Sequence, residues 1–271
     1  MIKKSFIANK NGKLSKLVEE NIEQLSYSVF MRALRKKDVK VDGARTSCDQ
    51  NVNAGQEITV FYAEQQKESL FDTVYKDENV LVVNKKDGVL SETLFEMVKE
   101  QNPDARFIHR LDRNTRGIII FALNAKAEQP LLDGFKNRTF DKKYHALVKG
   151  VPHKKQDVVS AYLVKDEQTS TVKIYSNKIK GSVSIKTGYK VIAEYKDSSL
   201  LEVDLYTGKT HQIRAHLSFI GCPIVGDGKY GDFEFNRLKK AKSQELTAKS
   251  LTLRFDKDSA LYYLNEKTFT V

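Results

Sequence analysis

A chain of 271 residues with 40% hydrophobic residues can form one large or two smaller domains. Its 46 Lys and Arg outnumber 35 Asp and Glu, and the net charge of +11 favours a polyanionic partner, nucleic acid before an anionic membrane. No apolar run approaches the roughly 20 residues of a membrane span, and the first ten residues lack the apolar centre of a signal peptide. The two distant cysteines, Cys48 and Cys222, suggest neither a zinc site nor a disulfide framework, so a cytoplasmic protein is expected.

The first predicted elements, within residues 1–62, follow the order helix, helix, strand, turn, strand. Apolar residues recur at helical spacing from Leu14 to Leu25, and Ser26 or Ser28 is a candidate N-cap for the second helix. Further apolar residues of the second helix are expected to face inward, namely Val29, Phe30, Ala33 and Leu34. Two strands follow, the first ending in a turn at Asp42-Gly43. Over residues 13–62 this order resembles the S-four RNA-binding module, named after a ribosomal protein.

The exit of the second helix is basic, with Arg32, Arg35, Lys36 and Lys37 close together. The resemblance implies that these side chains contact RNA. The alternative is that cations at a helix C-terminus only complement the helix dipole. The sequence departs from the module at Lys37-Asp38, where a glycine usually ends the second helix.

The polar stretch 63–70 is predicted to be a linker between the module and a second domain, residues 71–271. The second domain opens with an apolar run at 80–83 that predicts a buried strand. Ser91 is a candidate N-cap for a helix that runs to about Glu100. A further helix is predicted over 125–136, with a kink or a late start caused by Pro130.

The stretch 106–124 joins a strongly charged segment to a strand. Residues 118–123 are continuously apolar, as in a strand buried on both faces. Just before them, residues 109–117 read H-R-L-D-R-N-T-R-G, with three arginines, one histidine and one carboxylate. Burying these charges is costly unless they pair or serve a site, so this segment is predicted to be a rigid polar loop with a function.

The pattern H-R-L-D-x-x-T-x-G resembles the catalytic signature of the RluA-type pseudouridine synthases. Two further segments follow in the family's order: K-K-Y-H-A-L-V-K-G at 142–150, and T-G-K-T-H-Q-I-R-A-H-L at the start of 207–231. The resemblance covers nearly the whole chain and implies site-specific conversion of uridine to pseudouridine in structured RNA. Large-subunit ribosomal RNA is favoured over transfer RNA, and a monomer without membrane association is expected.

The family's functional residues map onto particular positions of this chain. The resemblance implies that Asp112 is the essential carboxylate, that Arg214 is its basic partner and that Tyr144 lies against the target uracil. Arg110 would fill the space left by the flipped nucleotide, and His109 would brace the loop rather than react. Ile213, within the same motif as Arg214, completes the expected substrate contacts. Two positions depart from the family: Lys86 stands in place of a proline, and Arg116 in place of a small residue.

The implied reaction breaks a carbon–nitrogen bond, turns the uracil and joins it again through carbon. It involves no net redox change, so no redox cofactor is expected, and no metal motif is present. A guanidinium beside Asp112 would keep that carboxylate ionised. Whether Asp112 attacks the uracil, attacks the sugar or removes a sugar proton is left open by the sequence.

Five alternatives compete with this interpretation. Asp112 could merely pair with Arg113 or Arg116, or the chain could be a non-catalytic RNA-binding or ribosome-assembly factor. Gly208-Lys209-Thr210 lacks the earlier glycine of a P-loop, and the two histidines 211 and 216 lack the spacing of a helical metal pair. A zinc nucleobase deaminase would need motifs that are absent from the sequence. The predicted fold class is α+β, a small N-terminal module followed by a catalytic domain with a mixed, largely antiparallel sheet flanked by helices.

Overall fold

A computed structural model describes residues 1–23, 25–63 and 69–271 of the chain. The chain divides into two compact units, Met1–Glu68 and Ser69–Val271. Most of the predicted linker 63–70 lies outside the described residues, since positions 64–68 are not among them.

The first unit is built from two helices and a four-stranded antiparallel sheet in the order β1-β6-β3-β4. A separate short ladder joins β2 and β5. The helices are α1, Leu14–Asn21, and α2, Tyr27–Arg35. The strands are β1 Ile2–Ile7, β2 Gly12–Lys13, β3 Val39–Val41, β4 Ala44–Thr46, β5 Asn51–Val52 and β6 Glu57–Tyr62.

Both predicted helices, the hairpin and the last strand of this unit are confirmed. Ser26 is the N-cap residue of α2, and all four residues predicted to face inward are buried. The two-residue hairpin loop has positive φ at Asp42 and Gly43, as a type I′ turn requires. The prediction missed β1, because this edge strand keeps most of its side chains exposed and shows no clear alternation.

The end of α2 has a backbone conformation that favours glycine. Lys37 has φ of 61°, a left-handed conformation that a side chain makes costly. Its neighbour Lys36 keeps φ of −82°. The backbone is therefore strained at Lys37 and unstrained at Lys36.

We expect Lys37→Gly to raise the free energy of unfolding of the first unit by about 0.5–1 kcal/mol, because glycine adopts positive φ without a steric penalty. The matched control is Lys36→Gly, which removes the same charge at negative φ and should lower stability by a similar amount. Urea unfolding of both variants measures the difference. Equal effects of the two substitutions would contradict the strain at Lys37.

The second unit contains one ten-stranded sheet in the order β12-β11-β13-β14-β10-β15-β9-β8-β7, with β16 paired to β15. Every pairing is antiparallel except that of β9 with β15. The fold class, α+β with a mixed, largely antiparallel sheet, is confirmed. The strands are β7 Phe71–Lys76, β8 Val80–Lys85, β9 Arg116–Ala122, β10 Asp141–Lys149, β11 Gln156–Asp166, β12 Thr171–Tyr175, β13 Val183–Glu194, β14 Ser198–Leu205, β15 Leu246–Thr252 and β16 Thr268–Thr270.

The pairings of β9, β15, β10 and β14 bring four distant parts of the chain into one row across the sheet. Gly117 lies beside Ala248, Ala248 beside Tyr144, and Tyr144 beside Val203. A Cβ atom on Gly117 would lie 2.2 Å from the Ala248 carbonyl oxygen, so this close approach requires glycine. The polar loop before β9 thus ends at the same level of the sheet as Tyr144.

Four helices and one 3-10 turn flank this sheet. They are α3 Ser91–Gln101, α4 Ala125–Asn137, α5 Gln212–Phe219, α6 Phe233–Leu238 and the turn Tyr262–Leu264. In the described part of the chain, no helix is long and apolar enough to cross a membrane.

One local prediction about these helices was wrong, and for the other the late start is excluded. Leu90, not Ser91, is the N-cap residue of α3, because the Ser91 hydroxyl is used elsewhere. The helix α4 begins at Ala125 and includes Pro130, so proline does not delay its start. Its N-cap Asn124 accepts a hydrogen bond from the backbone N–H of Ala127, which fixes the early start.

Candidate active site

The polar loop before β9 is held by side chains on both sides of Asp112. The ring Nε2 of His109 accepts a hydrogen bond from the Ile120 backbone N–H at 3.1 Å. The Ser91 hydroxyl donates to the Leu111 carbonyl at 2.9 Å and accepts from the Leu111 N–H at 3.0 Å. The loop therefore reaches Asp112 with its preceding backbone anchored to β9 and α3.

Two more side chains hold the loop after Asp112. The ammonium group of Lys85 is fully buried and donates to the Arg113 carbonyl at 3.0 Å. Gln244 donates from its amide to the Thr115 hydroxyl at 3.0 Å. Neither contact was predicted. Together they leave the Asp112 side chain as a fixed group on a rigid loop.

His109 braces this loop, as the sequence predicted. Its ring stacks on Phe135 with centroids 4.2 Å apart. Burial of the ring, assisted by the nearby Lys142 ammonium, lowers the pKa of His109 to about 3. His109 is therefore a neutral hydrogen-bond acceptor at physiological pH.

Arg214 lies in the first turn of α5 and joins two carboxylates. Its Nη1 donates to Asp112 Oδ2 at 2.9 Å. Its Nε and Nη2 donate to the two oxygens of Asp227 at 2.7 and 2.9 Å. The side chain of Asp112 is 23% exposed, whereas those of Arg214 and Asp227 are 9% and 0% exposed. Asp227 thus fixes the guanidinium plane from inside, and one edge is left to hold Asp112.

The protonation states follow from this network. Burial alone would lower the pKa of Arg214, but hydrogen bonds and negative charge from Asp227 and Asp112 raise it above its ordinary value. Burial alone would raise the pKa of Asp227, but the Arg214 guanidinium holds it below the usual range. The site therefore contains a permanent cation between two carboxylates.

The alternative pairing of Asp112 with a neighbouring arginine is wrong. Arg113 donates from Nε to the Gly88 carbonyl at 3.0 Å. Arg116, the departure from the family pattern, pairs with Glu245 at 2.8 Å. The partner of Asp112 is Arg214, 102 residues away in sequence.

A cavity of about 460 Å³ opens beside Asp112, within the usual size range of ligand pockets. Asp112, Tyr144, Arg214 and Ile213 all line it. Burial and the Asp112 charge raise the pKa of Tyr144, so its side chain is a neutral phenol at physiological pH. The three predicted catalytic residues therefore line the same cavity.

The remaining predicted contacts fall in different places. Arg110 is exposed at the rim of the cavity and pairs with Glu92 at 2.8 Å. Ile213 is buried and belongs to the apolar core as well as to the cavity wall. The four basic residues at the end of α2 are exposed and belong to the first unit, namely Arg32, Arg35, Lys36 and Lys37.

His211 and His216 make the ordinary hydrogen bonds that the sequence favoured over metal binding. His216 Nδ1 lies 2.9 Å from the Thr187 hydroxyl, and His211 Nδ1 lies 2.9 Å from the Tyr230 hydroxyl. Within residues 1–23, 25–63 and 69–271, no group of three or more His, Cys, Asp or Glu side chains is arranged to hold a metal ion.

Residues 73–219 match the protein family described as RNA pseudouridylate synthase. The matched segment is more than half of the chain and contains Asp112, Tyr144 and Arg214. The chain belongs to this family. As an RNA pseudouridine synthase, it is an isomerase that converts uridine in RNA to pseudouridine.

Curated relatives extend the match to most of the chain. The ribosomal large subunit pseudouridine synthase C of Vibrio cholerae is 30% identical over 250 residues, covering 83% of this chain and 78% of that protein. The protein of the same name from Escherichia coli is 31% identical over 249 residues, with the same coverage.

One solved structure has a fold similar to that of this chain. Human RNA Pseudouridylate Synthase Domain Containing 1 superposes with a TM-score of 0.63 at 27% identity. The superposition covers 72% of this chain and 83% of the human chain.

Proposed function

We propose that this synthase modifies a specific uridine of large-subunit ribosomal RNA, with Asp112 as the catalytic carboxylate. The observation that carries the assignment is the Asp112 carboxylate held at 2.9 Å by Arg214 at the wall of a nucleotide-sized cavity. Two relatives whose alignments cover 83% of this chain are named for the large ribosomal subunit, which supports the choice of RNA.

In the proposed reaction the target nucleotide leaves the RNA stack and enters the cavity, at a cost of a few kcal/mol. The Asp112 carboxylate acts on the uracil ring or on the ribose. The bond from the ribose C1′ to N1 breaks, and a bond from C1′ to C5 forms after the base has turned. The proton on C5 is then lost and one is gained at N1, so atoms balance without a co-reactant.

Arg214 and Tyr144 have supporting roles in this proposal. The guanidinium of Arg214 fixes the direction of the Asp112 carboxylate through their 2.9 Å hydrogen bond and pairs with its negative charge. The neutral phenol of Tyr144 lies against the uracil and holds it while it is detached. Arg110, at the cavity rim, occupies the gap left in the RNA.

The first unit is proposed to bind the same RNA through the exposed basic end of α2. Residues 1–62 carry 11 Lys and Arg and 7 Asp and Glu, so this part is itself basic. Action as a monomer is part of this proposal. A ribosomal RNA substrate also fits a cytoplasmic location.

Tritium release tests this proposal. Transcripts labelled with 5-tritiated uridine are prepared from large-subunit ribosomal RNA, small-subunit ribosomal RNA and transfer RNA of the cell that makes the protein. We expect release from the large-subunit transcript, because forming the bond to C5 expels its hydrogen. Release from transfer RNA alone would refute the choice of RNA. No release from any transcript would favour the non-catalytic RNA-binding alternative.

A further inference from the structure

Two lysines next to the loop have opposite surroundings. The ammonium group of Lys85 donates to three carbonyl oxygens, those of Lys86, Val89 and Arg113, at 2.8 to 3.0 Å. All of its protons are used inside the protein. Lys142 Nζ, by contrast, has no hydrogen-bond acceptor and no carboxylate within 4.0 Å among the described residues. Lys85 is therefore structural, whereas Lys142 has no polar partner in the described part of the chain.

The Lys142 ammonium group lies across the cavity between its two walls. On one side, Nζ is 5.4 Å from the centre of the Phe135 ring, on α4. On the other side, a methyl group added at Gly208 would lie 4.0 Å from Nζ. The side chain is half-buried and lines the cavity that contains Asp112. Its charge therefore faces the space that a substrate would enter.

The neighbours of Lys142 add to its positive charge. Lys136, Arg138 and Lys209 also line the cavity, and none of the three has a carboxylate within 4.0 Å in the described part of the chain. Burial and the charge of Arg138 lower the pKa of Lys142. Asp112 is the one carboxylate among the described lining residues, and Arg214 already pairs with it. The cluster is unfavourable without a ligand and becomes favourable when an anion binds.

We infer that Lys142, assisted by Arg138, binds a backbone phosphate of the target nucleotide while its uracil is detached. This inference rests on the proposed function and names a positioning contact for it. When the bond between C1′ and N1 breaks, contacts to the uracil no longer hold the ribose in place. A phosphate held by two cations keeps the ribose C1′ beside Asp112 until the base has turned and the new bond forms.

A binding experiment isolates the phosphate contact. The affinities of uridine, uridine 5′-monophosphate and uridine 3′-monophosphate are measured by NMR titration, up to their solubility limits, for the wild type and for Lys142→Met. Methionine keeps the packing on Phe135 and removes the charge. We expect the wild type to prefer one monophosphate over uridine by about tenfold or more, the value of a charge-assisted hydrogen bond. Lys142→Met should abolish the preference, and Lys142→Arg should retain it.

The matched control is Lys126→Met, an exposed lysine of α4 outside the cavity, which should bind like the wild type. With labelled ribosomal RNA, Lys142→Met should also reduce the slope of log kcat/KM against log salt by about 0.7–0.9, the loss of one phosphate contact. The inference is overturned if the wild type binds neither monophosphate more tightly than uridine, or binds no nucleotide at all. It is also overturned if Lys142→Met keeps the wild-type preference. Tritium release by the wild type tests the proposed function separately. Release of tritium without a preference for a monophosphate would refute the phosphate contact and leave the proposed function standing.

Discussion

Asp112→Asn is expected to abolish pseudouridine formation, with kcat reduced by a factor on the order of 10⁴–10⁶, as for loss of a nucleophile. The amide is similar in size and can still accept a hydrogen bond from Arg214, but it can neither attack carbon nor take up a proton. Tritium release from labelled ribosomal RNA under single-turnover conditions measures the chemical step directly.

The same variant should fold and bind RNA almost as well as the wild type. Arg214 keeps its two hydrogen bonds to Asp227, so no buried charge is left unpaired. Asp104→Asn is the matched control, because it makes the same chemical change at an exposed aspartate outside the cavity. It should leave kcat unchanged. Product formation by Asp112→Asn near the wild-type rate would remove Asp112 from the mechanism.

The sequence predicted those parts of the site that lie within contiguous motifs. A charged side chain lies at a fixed offset from a strand or helix in each of two motifs, residues 109–117 and 207–214. The continuous apolar run at 118–123 identifies β9. The partnership of Asp112 with Arg214 came from the family resemblance and is confirmed by their 2.9 Å contact. The residue roles proposed for catalysis stay predictions.

The groups that hold the loop in place could not be predicted from local pattern. Ser91, Lys85 and Gln244 contact loop residues that are 20, 28 and 129 positions away. Their types are common on exposed surfaces, and only the parallel pairing of β9 with β15 brings Gln244 to the loop. Ser91 shows the limit clearly, since its position before a helix suggested a cap and its hydroxyl instead anchors the Leu111 backbone.

Asp227 lies within the segment 207–231 that resembles the family, yet its role depends on burial that the sequence does not reveal. We expect Asp227→Asn to lower the free energy of unfolding of the second unit by about 3–5 kcal/mol, as for the loss of one member of a buried ion pair. An asparagine amide in place of Oδ2 would point N–H groups at the Arg214 Nε–H, and the Lys229 and Tyr230 backbone bonds restrict its rotation. Arg214 would then lose its Nε bond and keep only the Nη2 bond to the remaining oxygen and the Nη1 bond to Asp112.

Urea unfolding of the second unit measures this loss, and the matched control is Asp197→Asn. Asp197 also pairs with a cation, Lys239 at 2.7 Å, but both side chains are more than 40% exposed, so the control should cost less than about 1 kcal/mol. At temperatures where Asp227→Asn remains folded, we expect kcat to fall by about 10²-fold, because a guanidinium freed on one side no longer fixes Asp112. If Asp227→Asn were as stable as Asp197→Asn but still showed the fall in kcat of about 10²-fold, Asp227 would orient Arg214 without stabilising the fold. A variant with wild-type kcat would mean that the remaining hydrogen bonds are enough to hold Arg214 in place.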